Sequence, residues 1–72
     1  MFATHDDLTA AELQLLESQR KVVAQTKILD ELRRRDQPTR IAEKFLDRLQ
    51  DALVLHRVER DAISARLVAE LA

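Results

Sequence analysis

Leu8, Leu15, Val22 and Leu29 recur at seven-residue intervals in the first half of the chain, the spacing of a seam between packed helices. Beside that row lies a shorter one, Leu16 and Val23, flanked by Gln19 and Thr26. In the second half, Ala42, Phe45, Leu46, Leu49, Leu53, Ile63, Leu67 and Leu71 share one broad helical face. The opposite side begins as Arg40, Lys44, Asp47, Arg48 and Asp51, then turns apolar at Val54, Leu55, Val58, Ala62 and Ala65. A helix that is apolar nearly all round is covered nearly all round. The pattern predicts an N-terminal tail over residues 1–7, helix 1 over 8–36, a turn at 37–39 and helix 2 over 40–71, all in one domain.

The helix ends are marked by their chemistry. Thr9 and Glu12 have the spacing of a capping box, and Asp6, Asp7 and Glu12 suit the positive end of a helix dipole. Arg33, Arg34 and Arg35 suit the negative end. Glu17–Lys21, Asp30–Arg34 and Glu31–Arg35 are acid-first pairs four residues apart. Gln37 precedes Pro38 and is biased out of the helical region. Pro38 can then occupy the first turn of helix 2, with Asp36, Gln37 or Thr39 as cap. So short a connection forces the helices antiparallel. Leu46 then faces Leu29, Leu53 faces Val22, and His56 faces Ser18 or Gln19. The expected fold is all-α: a two-helix antiparallel hairpin that pairs into a homodimeric four-helix bundle. Leu13, Leu16 and Val23 of helix 1 and Val54, Leu55 and Val58 of helix 2 form the expected association surface, away from the turn.

Composition narrows the chemistry. A chain of 72 residues without cysteine has neither disulfides nor thiolate–metal sites to staple a small core, which leaves association. Glycine is absent and proline occurs once, so phosphate-cradling loops have no material. Twelve basic and thirteen acidic side chains leave a net charge of −1, which gives no electrostatic reason to expect nucleic acid or an anionic membrane as partner. No apolar run approaches the roughly 20 residues of a membrane span. The N-terminal residues lack the basic and apolar regions of a signal peptide, and a cytoplasmic location is expected.

Three constellations carry candidate chemistry. His56 and Arg60 interrupt the apolar face of helix 2, where a polar pair is costly unless hydrogen-bonded. With Ser18 and Gln19 they make an expected core polar layer, of the kind that fixes register. In a second reading, Leu55-His56-Arg57-Val58 resembles the His-Arg-Val around the phosphorylated histidine of one group of bacterial sensor kinases, whose dimerisation domain is also a helical hairpin. That resemblance implies a phosphoacceptor role for His56, although here the histidine stands on the second helix and Glu59-Arg60 follows it. In a third, Arg33, Arg34, Arg35 and Arg40 make the turn the basic end, a contact for phosphate or nucleic acid; acidic neighbours and the lack of a stacking aromatic oppose it. No enzyme activity, cofactor or metal is expected; His5-Asp6-Asp7 reads as a tail with capping acids. The function expected is a non-enzymatic interaction or regulatory module that self-associates or docks a partner protein.

Taken whole, residues 19–67 resemble an uncharacterised family of short bacterial helical-hairpin proteins. The matching positions are Gln19-Arg20, Thr39 with Ala42, Leu46, Leu49, Leu53, Leu55-His56-Arg57 and Arg60-Asp61. The Leu-His-Arg and Arg-Asp cluster is the specific part. At the turn this chain has Arg35-Asp36 and Pro38 where those proteins place glycine and aspartate. The resemblance implies a hairpin and carries no activity.

Overall fold

A computed structural model describes residues 3–71, with α1 over His5–Arg34 and α2 over Arg40–Leu71 packed against each other. Helix α1 begins a turn earlier than expected. Thr4, with extended backbone (φ −121°, ψ 164°), is its N-cap. The Thr4 hydroxyl accepts from the Asp7 N–H at 3.1 Å, and the Asp7 carboxylate accepts from the Thr4 N–H at 3.0 Å. That reciprocal box satisfies two of the free donors of the first turn and sets Asp6 and Asp7 at the dipole's positive end. Thr9 is therefore interior, its hydroxyl donating to the His5 carbonyl at 3.0 Å. Thr4-x-x-Asp7 and Thr9-x-x-Glu12 compete for the same role, and the earlier box adds a turn of backbone hydrogen bonds.

At its other end α1 stops at Arg34, short of the expected 36. Asp36 takes a positive φ of 53°. The Asp36 N–H then donates to the Arg33 carbonyl at 3.2 Å, and the Gln37 N–H donates to the Leu32 carbonyl at 2.9 Å. These are the two reversed bonds of a Schellman motif, usually built on glycine. Aspartate tolerates the left-handed region better than most residues. Pro38, with no N–H to place, spans the gap to α2 instead of entering its first turn. Thr39 flanks Arg40, and its carbonyl accepts from the Glu43 N–H at 2.8 Å.

The seam follows an alternating three–four spacing on both helices. On α1 it runs through Leu8, Ala11, Leu15, Ser18, Val22, Gln25, Leu29 and Leu32, and on α2 through Ala42, Leu46, Leu49, Leu53, His56, Arg60, Ile63 and Leu67, all buried or half-buried. Among the described residues the buried apolar side chains are Ala11, Leu15, Leu29 and Leu67, and none is wholly shut from solvent. Phe45 and Leu71, expected on the covered face, stand exposed. One facing helix covers only the narrow seam, and Phe45 is about 100° round the helix from Leu46. The result is a rod of 56 × 15 × 14 Å with a radius of gyration of 16.5 Å, where a compact chain of this length has about 11 Å. Among the described residues, no helix is long and apolar enough to cross a membrane.

Candidate association surface

The hairpin has two broad sides, one on each flank of the seam. On one, Arg33 of α1 reaches Glu43 of α2 at 3.3 Å. On the other, two shallow clefts open between the helices. Ala3, Asp7, Ala10, Ala11, Gln14, Glu59, Ile63 and Arg66 line the larger, of about 320 Å³, near the open end. Gln14, Glu17, Ser18, Lys21 and His56 line the smaller, of about 220 Å³, near mid-length. Helical spacing assigns the remaining positions from these anchors. Stepping back from Arg33 by threes and fours reaches Thr26, Val23, Gln19 and Leu16; stepping forward from Glu43 reaches Gln50 and Val54. From Lys21 the next turns reach Ile28, and from Glu59 they reach Leu55, Ala52 and Phe45.

All six residues of the expected association surface are exposed, but they do not share one side. Leu16, Val23 and Val54 stand on the Arg33–Glu43 side, with the uncharged Gln19, Thr26 and Gln50 among them. Leu55 stands on the cleft side. Leu13 and Val58 occupy the outer edges of α1 and α2. Together they form a belt round the middle of the rod. Sequence reasoning missed Ile28, 52% exposed, and left Phe45, 50% exposed, and Ile41, 85% exposed, out of this surface. Ile28 and Phe45 face one another across the cleft side near the turn. The signal was available in the seven-residue step from Lys21 to Ile28, which separates Ile28 from the Leu29 row.

The expected polar layer is redrawn. Ser18 is buried and lies with His56 at the mid-length cleft. Gln19 is exposed, and Gln25 is the second buried polar residue of α1, at 8% exposure. Its amide donates to the Ala42 carbonyl across the seam at 3.1 Å. Ser18 and Gln25 fall on the three–four spacing of Leu15, Val22 and Leu29, whereas Gln19 lies one residue, about 100°, beyond it. Neither His56 nor Arg60 is paired across the seam, and Arg60 finds its partner along its own helix. The Arg60 guanidinium meets Asp61 at 2.7 Å. The buried Nδ1 of His56 has no hydrogen-bond partner among the described residues, the Glu59 carboxylate lying at 3.6 Å, beyond hydrogen-bonding reach.

At the turn, Arg33 contacts Asp30 and Glu43, Arg34 contacts Glu31 at 3.4 Å, and Arg35 contacts Glu31 at 2.9 Å. Arg34 thus pairs with Glu31 rather than Asp30. Arg40 is exposed beside them. The Glu17–Lys21 pair forms as expected, at 3.5 Å. His5, Asp6 and Asp7 make up the first turn of α1.

Set against family models, curated proteins and solved structures, the chain matches none of them. Function must therefore be argued from the hairpin itself.

Proposed function

We propose that the protein is a non-enzymatic helical-hairpin module whose working form is a self-associated bundle. One observation carries this reading. The chain exposes 5784 Å², whereas a compact monomer of its mass exposes about 4,600 Å². The excess is about 1,200 Å² per chain. Leucine, isoleucine, valine and phenylalanine side chains on every flank of the rod contribute to it. Large apolar side chains exposed along a rod this slender favour association, and a rod covers them by lying against another rod.

The basic turn supports no second reading, because Arg33, Arg34 and Arg35 each lie within 3.9 Å of a carboxylate. A phosphoacceptor reading of His56 is disfavoured by its place in the seam, where its side chain is only 28% exposed. Sedimentation of the purified chain from micromolar to millimolar concentration tests the proposal. A dimer or larger closed assembly is expected across that range. A helical monomer at every concentration would defeat it and turn attention to a heterologous partner for the same belt.

A further inference from the structure

The cleft side of the hairpin has two unlike halves. Near the turn, Ile28 and Phe45 stand half-exposed at the same height, with Ile41 beside them. Toward the open end lies the cleft of about 320 Å³, with Ala10, Ala11 and Ile63 among its lining and Asp7, Glu59 and Arg66 as its charged groups. Charge counted over all faces of the rod divides the same way. Residues 20–55, the turn half, hold nine basic and six acidic side chains, while the remainder holds three basic and seven acidic. One half thus offers large apolar side chains and positive charge, the other a small-residue recess and negative charge.

We propose that a second copy of the chain covers this side with the two hairpins antiparallel, so that Phe45 and Ile28 of each copy seat in the open-end cleft of the other. The inference rests on the self-association reading and names its face and polarity. A two-fold axis lying between the rods, across their length, stacks α1 on α1 and α2 on α2. The Ile28/Phe45 pair and the open-end cleft are about 18 residues apart along the rod, so the axis falls midway, level with Leu55 and the Glu17–Lys21 pair. Leu55 then meets its own copy at the axis. Glu17 of each copy faces Lys21 of the other, making a square of alternating charges from two pairs already formed within each α1. Arg48 of each copy comes within about one helical turn of the level of Glu59 of the other.

A parallel arrangement makes the opposite pairings. It sets the basic turn ends side by side, the acidic open ends side by side, and Glu17 over Glu59, which like-charge repulsion opposes. Area agrees with a two-copy assembly. A dimer that removed the whole surplus of two chains would bury about 2,400 Å², inside the range of about 2,000–5,000 Å² for obligate dimers.

The chain has no cysteine, so single-cysteine variants report on geometry directly. In the antiparallel dimer Leu55→Cys brings two thiols together at the axis, while Phe45→Cys holds them about 28 Å apart, far beyond disulfide reach. Mild oxidation should convert most of Leu55→Cys to a disulfide dimer and leave Phe45→Cys uncrosslinked. Phe45→Glu, at a half-exposed position, should keep the helix content and weaken the dimer at least tenfold. Crosslinking of Phe45→Cys but not Leu55→Cys would overturn the pairing by moving the axis to the turn end. If neither variant crosslinks while the native mass is dimeric, the antiparallel pairing on this face is wrong although self-association stands, because a parallel pair lays α1 over α2 and keeps Leu55 and Phe45 from their own copies. A monomeric native mass would remove both.

Discussion

Asp36 carries the one positive φ of the described non-glycine residues, 53°, and with it the reversed hydrogen bonds that close α1. Aspartate holds that conformation at lower cost than alanine, for which the left-handed region costs about 1–2 kcal/mol. Asp36→Ala should therefore lower stability by about 1 kcal/mol, a fall in Tm of about 4–8 °C for a domain of this size. Asp36→Gly should leave Tm near the parent value, because relief of strain offsets the greater freedom of glycine in the unfolded chain. A matching loss in both variants would mean that the carboxylate, not the backbone, holds the turn. The caps make a second pair of tests. Thr4→Ala removes the box acceptor and should cost about 1 kcal/mol, whereas Thr9→Ala, interior and exposed, should change Tm little or raise it slightly. The sequence shows that a threonine–acid box opens the helix but not which one, since both have the same spacing and only the completed backbone ladder separates them.

At the scale of the helices, the seven-residue row of Leu8, Leu15, Val22 and Leu29 was legible, and with it the hairpin, because apolar periodicity and the Pro38 break are local signals. The phase of the intervening positions was not. Gln19 and Thr26 sit four residues after Leu15 and Val22, and Ser18 and Gln25 sit three after them, so sequence offers two polar rows for one seam. Packing chooses Ser18 and Gln25, whose side chains are short or can donate across the seam, as Gln25 does to Ala42. Opposite Ser18, His56 contributes a buried nitrogen without a partner. Such a group costs about 1–3 kcal/mol when left unsatisfied. His56→Leu should consequently raise Tm by several degrees in thermal unfolding, at the expense of a polar position that helps to fix register. A lower Tm in His56→Leu would show that the imidazole is held by an interaction formed only in the assembly.

The whole molecule is a rod only 15 Å across, with four buried apolar side chains among the described residues, and its stability should be inseparable from its concentration. If the folded hairpin is the dimeric one, each tenfold rise in concentration adds about 1.4 kcal/mol to the folded assembly. Two chains of this length have an unfolding entropy of about 0.3 kcal/mol/K. Tm should then climb by about 4 °C per decade of concentration, and far-UV circular dichroism from micromolar to millimolar chain reads this directly. A Tm that does not move would place all the stability within the single hairpin and leave the belt to a different partner. The same scan separates the two sides of the rod. Phe45→Glu on the cleft side should flatten the dependence, whereas Val23→Glu on the opposite side should leave its slope intact. The individual exposed residues were legible because helix 2 is apolar on too many sides for one neighbour. The division between sides was not, since it depends on the seam phase and on which flank carries Arg33–Glu43. Opposed charge at the two ends then favours one rod reversing on another, which leaves Leu55 at the centre where the two copies meet.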